Sequence, residues 1–152
     1  MDIDHFKQAN DSHGHLYGDE VLVALARKLE QISEEIPGSH CARFGGDEFA
    51  LLLPHVTKLQ SLELAHELRA VFGSHTSGVG KTRVSLSIGL ASSQRAGDMP
   101  LEAIISEADQ ALYRAKMHGR NRVEVQPETA SQSLGNSLGA PRPRLQLQHD
   151  AN

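Results

Sequence analysis

A layered α/β domain built around a mixed sheet is the architecture encoded here, and three patterns point to it. Val21, Leu22, Leu25, Leu29, Ile32 and Ile36 recur at helical spacing until Pro37-Gly38 stops the run. Apolar-rich residues 41–44 and 49–53 flank Gly45-Gly46-Asp47-Glu48, and Pro54 closes the second stretch, which suits a β-hairpin. Val84, Leu86, Ile88 and Leu90 alternate with Ser85, Ser87, Gly89 and Ala91, the period of a strand with one buried face.

The other elements follow by the same reasoning. Residues 1–6 alternate acidic and apolar side chains and begin abruptly, so they read as the end of a strand. Residues 10–18 are rich in Asn, Asp, Ser, Gly and His, the composition of a polar loop or a short irregular helix, which sets the start of the first long helix at Asp19. Leu59, Leu62, Ala65, Leu68 and Phe72 mark a second helix ended by Gly73, and residues 74–80 read as loop. Leu101, Ile104, Ile105, Ala108, Ala111, Leu112 and Ala115 give a third helix ended by His118-Gly119, and Val123 with Val125 a final short strand. Residues 1–126 are thus expected to form one domain. From Pro127 to Asn152 the composition turns to Ser, Gln, Gly and Pro without apolar periodicity, the signature of a disordered tail.

Composition narrows the function classes. The 152 residues carry 15 Lys+Arg against 19 Asp+Glu, a formal net charge of -4, so a nucleic-acid binder driven by overall basic charge is excluded. Any anionic ligand must be held by a few local cations or a metal. No apolar run approaches the roughly 18 residues of a membrane span. The single cysteine, Cys41, cannot form an internal disulfide, and with no signal-peptide pattern a reducing cytoplasm is the expected compartment.

Three segments could carry chemistry. In Asp2-Ile3-Asp4-His5-Phe6-Lys7 the two aspartates share a face if the strand reading holds, and paired carboxylates attract a hard cation, with Lys7 available as a point charge for phosphate. Taken alone, the segment also reads as a solvated acidic strand end. In Arg43-Phe44-Gly45-Gly46-Asp47-Glu48-Phe49 the glycines admit a ligand closely, and adjacent Asp47 and Glu48 project to different sides; an ordinary hairpin turn is the alternative. Lys116 and Arg120, four apart near Gly119-Arg120-Asn121-Arg122, suit either a phosphate clamp or simple complementation of a helix dipole. Two decoys drop out. Ser77-Gly78-Val79-Gly80-Lys81-Thr82 lacks the earlier glycine of a phosphate-binding P-loop, where His75 stands, and precedes a strand rather than a helix. His13-Gly14-His15 has no second paired-ligand motif to complete a zinc site.

Together, Asp2-Ile3-Asp4-His5-Phe6-Lys7, Asn10-Asp11, Gly14-His15, Gly18-Asp19, the Arg43–Phe49 signature and Lys116 with Gly119-Arg120-Asn121 resemble the GGDEF family of diguanylate cyclases over about residues 2–125. The resemblance implies a mixed, mostly antiparallel five-stranded sheet flanked by helices, similar to the nucleotidyl cyclase and polymerase palm core. It implies condensation of two GTP molecules into cyclic di-GMP with release of two pyrophosphates. Asp2, Asp47 and the Ile3 carbonyl resemble the ligands of Mg²⁺, with Mn²⁺ as the alternative ion. Glu48 resembles the group that helps deprotonate the attacking 3′-hydroxyl. Lys7, Lys116 and Arg120 resemble the triphosphate-binding cations, assisted by backbone amides near His5 and Phe6. Asn10 and Asp19 resemble the guanine readers. A carboxylate accepts from the N1–H and 2-amino donors of guanine, which adenine lacks, so Asp19 favours GTP over ATP. One such constellation per chain, against a product made from two nucleotides, implies a catalytic homodimer.

Departures carry expectations too. Many members have a product-binding Arg-x-x-Asp ending six residues before the first signature glycine; Ile36 and Ser39 stand there, so feedback inhibition through that site is expected to be absent. The family's upstream helix, its Asp-x-Leu-Thr segment and the apolar first half of the strand ending at Asp2 are not in the sequence, so the chain is expected to be a fragment or to start at an internal methionine. Unpaired buried backbone groups beside a shortened central strand would cost about 1 to 3 kcal/mol each, against a typical stability of about 5 to 15 kcal/mol. Two further readings stand beside the cyclase: a catalytically weak or inactive domain that binds GTP or a protein partner, and a cyclase of other purine nucleotides. A longer chain supplying the upstream segment is expected to be active and residues 1–152 alone to be poorly folded or weak; vigorous turnover by residues 1–152 would overturn that expectation.

Overall fold

The computed structural model describes residues 1–74, 84–93 and 99–127. Among them the chain runs β1 (Asp2–Ile3), α1 (Phe6–His13), α2 (His15–Glu35), β2 (His40–Arg43), β3 (Phe49–Leu52), α3 (Lys58–Ser74), β4 (Leu86–Leu90), α4 (Leu101–Met117) and β5 (Val123–Val125). The rejected P-loop look-alike at residues 77–82 lies outside the described residues, as does the tail read as disordered, apart from Pro127.

Helical periodicity and hairpin signals translate directly into elements. β2 and β3 pair antiparallel from His40 opposite Leu52 to Arg43 opposite Phe49. β1 pairs antiparallel with β4, Asp2 opposite Ser87, and β4 pairs parallel with β5, Ile88 opposite Val123. The hairpin and the three-stranded sheet meet at β1. Asp2 bridges to Glu48, the Ile3 N–H donates to the Asp47 carbonyl (3.2 Å), and the Phe49 N–H donates to the Met1 carbonyl (2.9 Å). The sheet is therefore mixed and mostly antiparallel, flanked by helices, as expected from the sequence.

Two local expectations are corrected. Of the two readings of residues 10–18, loop or short helix, the helical one holds, but α1 begins already at Phe6, and α2 begins at His15 rather than Asp19. Gly14, at φ 86°, makes the corner between the two helices, and its N–H donates to the Asn10 carbonyl at 2.7 Å. Polar composition reads as loop, but a helix paired with α2 needs few apolar residues; Ala9 is the buried one on α1. β4, expected to have one buried face, is buried on both, Ser87 completely so. Leu86 and Ile88 join the main core with Ile3 of β1, Leu25, Leu29 and Ile32 of α2, and Leu64, Leu68 and Phe72 of α3. The other face of β4 carries the small residues Ser87 and Gly89, which let α4 approach.

That approach depends on the missing side chain of Gly89. A Cβ there would overlap the Ala108 carbonyl oxygen and the Leu112 nitrogen and lie 2.8 Å from the Leu112 Cα. All three are backbone atoms, which cannot rotate away. Gly89→Ala should therefore lower stability by about 3 kcal/mol, the upper part of the usual overpacking range, read as a fall in the urea midpoint. An unchanged midpoint would mean that α4 slides freely on β4.

Candidate functional site

The two acid-bearing segments meet because the backbone at 1–3 pairs with the backbone at 47–49. At the hairpin tip, Arg43 holds the turn from within: its Nε donates to the Gly45 carbonyl (3.1 Å) and its Nη2 to the Gly46 carbonyl (2.6 Å). The Glu48 carbonyl accepts from the N–H groups of Phe44 (2.8 Å) and Gly45 (3.4 Å). This closed turn sets Asp47 beside the end of β1 and leaves Glu48 exposed.

Asp2 is buried, at 8% exposure, and its Oδ2 accepts from Lys116 Nζ at 2.8 Å. Desolvation raises its pKa above the ordinary 3.8; the Lys116 hydrogen bond and charge oppose that, while the charges of Asp47 and Asp4 add to it. The influence of Asp47 places that carboxylate in the electrostatic neighbourhood of Asp2. Among the described residues no three His, Cys, Asp or Glu side chains gather into a metal cluster. Two carboxylates and the Ile3 carbonyl nevertheless suit a hard divalent ion, which takes oxygen ligands and leaves several positions to phosphate and water. A desolvated carboxyl with a raised pKa also fits a group awaiting more positive charge than one lysine supplies.

Asp4 is expected from strand alternation to face the same way as Asp2, and its environment differs. β1 ends at Ile3, and Asp4, at 3% exposure, is enclosed by donors. The hydroxyls of Ser85 and Ser87 donate to its Oδ2 and Oδ1 at 2.6 Å each, and the Asn121 N–H donates to Oδ2 at 3.0 Å. Its lone pairs are committed within the protein, so Asp4 ties β1 to β4 and to the turn after α4. Arg69 of α3 fixes that turn from another side, donating to Asn121 Oδ1 (2.9 Å) and to its carbonyl (3.3 Å). Sequence reasoning missed this clamp. The alternation that marks β4 assigns Ser85 and Ser87 to the polar face, with no hint that the face is buried.

Lys116 and the turn after α4 reach the end of β1, and α1 begins close behind it in the chain. Lys116 is on the last turn of α4; Arg120 follows at φ 61°, its N–H donating to the Ala115 carbonyl at 2.9 Å. Arg120 and Lys7 are exposed. His5, at φ 57°, is the N-cap of α1 and its side chain makes no cap hydrogen bond, so the first N–H groups of the helix, beginning at Phe6, have no side-chain cap from it. One helical turn further, the Asn10 side chain lies against Gly18, the residue before exposed Asp19.

The chain has relatives among known proteins. The family described as diguanylate cyclase, GGDEF domain, matches residues 1–122. Diguanylate cyclase DgcM of Escherichia coli K12 is 44% identical over 123 residues, covering 81% of this chain and 29% of that protein. Diguanylate cyclase VdcA of Vibrio cholerae is 38% identical over 128 residues, covering 81% and 37%. This chain thus spans well under half the length of either relative. Among solved structures, the active GGEEF domain of a diguanylate cyclase from Vibrio cholerae superposes with a TM-score of 0.76 at 35% identity, covering 84% of this chain and 80% of that one. The GGDEF domain of DgcB from Caulobacter crescentus, in complex with c-di-GMP, gives 0.74 at 32%, covering 82% and 74%.

The raised pKa of Asp2 predicts a pH trend. A folded pKa above the unfolded 3.8 means that the native state holds this proton more tightly. The linked stability is complete below pH 3.8 and is lost as pH rises through the higher folded value. In EDTA, the melting temperature of Asp2→Asn should therefore gain on that of the wild type between acid and neutral pH. The opposite trend would show that Lys116 outweighs desolvation.

Proposed function

The chain belongs to the GGDEF-domain family of diguanylate cyclases, and from that premise we propose that it condenses two GTP molecules into cyclic di-GMP and two pyrophosphates. The observation that supports the reading best is the backbone junction that gathers Asp2, Ile3 and Asp47, with Lys116 on the Asp2 carboxylate.

In this reading the 3′-oxygen of each GTP attacks the α-phosphorus of the other. A new phosphoester bond forms, the bond to the β-phosphate breaks, and pyrophosphate leaves with the electron pair. Glu48 accepts the 3′-hydroxyl proton or orients the hydroxyl toward loss of it, a role worth about 10² to 10⁴ in rate. Lys7, Lys116 and Arg120 balance the triphosphate charge, and the free N–H groups at the start of α1, by His5 and Phe6, receive a phosphate oxygen. Lys116 has three N–H donors, so it can keep Asp2 and still reach a phosphate. Asp2, Asp47 and the Ile3 carbonyl would hold Mg²⁺ or Mn²⁺, which when bound neutralises charge developing on the phosphates. Asn10 and Asp19 read guanine, with the Asp19 carboxylate facing the N1–H and 2-amino donors.

Because the proposed residues make up one nucleotide site per chain, two copies must face each other for both attacks to occur. A homodimer is therefore part of the proposal.

Incubation with GTP and Mg²⁺ is expected to yield cyclic di-GMP and pyrophosphate in a ratio of one to two, with a rate that climbs faster than linearly with protein concentration. Glu48→Gln should lose at least about a hundredfold in rate while still binding GTP. Nucleotide analysis by chromatography and mass spectrometry reads both. GTP binding with no cyclic product from the wild type would replace the enzyme by a nucleotide-binding module, and equal incorporation of ATP would overturn the guanine assignment.

A further inference from the structure

Gly18 takes no part in the chemistry described above, yet its environment is unusual for a helix interior. It is buried on α2, one residue before Asp19, where alanine would ordinarily be the better helix former. A Cβ built at this position would overlap Asn10 Oδ1 and lie 2.8 Å from Asn10 Cγ and 3.1 Å from Nδ2. The carboxamide of Asn10 therefore occupies the volume that any other residue at position 18 would fill. A second, independent observation points the same way. Asn10 Oδ1 is buried without a hydrogen-bond partner. A buried, unpaired amide oxygen is costly, and an amide free to choose would turn it toward water or a donor. The corner at Gly14 folds α2 back along α1 and lays Asn10 into the gap at Gly18, with the amide oxygen seated nearest the gap and the amide nitrogen farther from it.

We propose that Gly18 is a specificity-positioning residue: its missing side chain is the slot that seats the Asn10 carboxamide, so that Asn10 offers a donor and Asp19 an acceptor to the same purine edge. The proposal rests on the assignment of Asn10 and Asp19 to the base under the proposed function. It adds the reason that the two readers keep a fixed spacing. They sit on different helices, and the contact that registers one against the other runs through a residue with no side chain. A methyl group at position 18 either pushes the Asn10 amide out of the slot or separates the helices, and in both cases the paired donor and acceptor no longer match one edge.

A double-mutant cycle with Gly18→Ala, Asn10→Ala and the combination tests this, with two readouts. The first is thermal unfolding without nucleotide. Gly18→Ala should lower the melting temperature when Asn10 is present and raise it in the Asn10→Ala background, where the slot is empty and alanine's helix propensity prevails. The second is calorimetric affinity for GTP, with Ca²⁺ as the ion. Gly18→Ala alone should weaken GTP binding about tenfold, and added to Asn10→Ala it should change binding less than twofold. The inference is overturned if Gly18→Ala shifts the melting temperature equally in both backgrounds, or if it weakens GTP binding as much without Asn10 as with it. A wild-type chain that binds no GTP would overturn the nucleotide reading instead, while the thermal cycle would still decide whether Gly18 seats Asn10.

Discussion

Pairing of the backbone at residues 1–3 with that at residues 47–49 is the constraint on which the candidate site rests. Met1 and Phe49 are 48 positions apart and exchange hydrogen bonds in both directions, the Met1 amino group reaching the Phe49 carbonyl at 2.8 Å and the Phe49 N–H returning at 2.9 Å. Closing so long a loop carries an entropic cost that grows slowly with length, and the intervening α1, α2 and β2 already fix most of its path. The pairing brings like charges together. Asp2 and Asp47 repel, and burial of Asp2 adds to the penalty, so the junction is held by the backbone and by the packing of Ile3, not by its side-chain electrostatics. An arrangement that gathers negative charge against its own interest needs positive charge from elsewhere. Lys116 supplies part of it.

Asp2 and Asp4 are chemically identical, lie two positions apart, and do different things because of what surrounds them. Asp4 receives three donors and is satisfied inside the protein; a buried carboxylate so supplied is a structural fastener between β1, β4 and the turn at Asn121. Asp2 pairs with Lys116, which stands on a flexible stem that is 30% exposed. The first is finished and the second is incomplete. The fastener matters to its neighbour, since it fixes both the strand end that carries Asp2 and the turn that carries Arg120. On the proposed reading, the spacing between the acids and the cations Lys116 and Arg120 is thereby set by groups that do not touch a substrate.

Much of this is legible in the sequence, and the failures share one cause. The long helices, the hairpin and the last strand each announce themselves by local spacing, and they stand where Leu25, Ile32, Phe49 or Leu112 place them. The helical nature of residues 6–13 shows only in part, as an alternative to loop from residue 10 onward, because α1 is polar nearly throughout and draws its order from α2 alongside it. Ser85 and Ser87 look solvent-facing for the same reason, since period-two alternation cannot see α4 arriving on the polar side. The candidate site divides in the same way. Its residues can be named from their motifs, whereas the separate roles of Asp2 and Asp4, the part played by Arg69 and the contact between Asn10 and Gly18 depend on pairings between distant segments.

The distribution of exposure across the site bears on how a single copy could work. Asp2 is buried and Asp47 half-buried, but Glu48, Asp19, Lys7 and Arg120 all stand in solvent. Electrostatic effects among exposed groups are weakened by water, and a base in bulk solvent gains little over water itself. A complete catalytic centre would be expected to shield those residues, and nothing among the described elements covers them. On the proposed reading this is the expected state of a half-site. The end proposed to hold the metal is enclosed by its own sheet, and the end proposed to meet the second nucleotide would stay open until another copy brought the opposing GTP and displaced the water. On that reading, the burial gradient from Asp2 outward to Glu48 separates what one chain prepares alone from what a second copy completes.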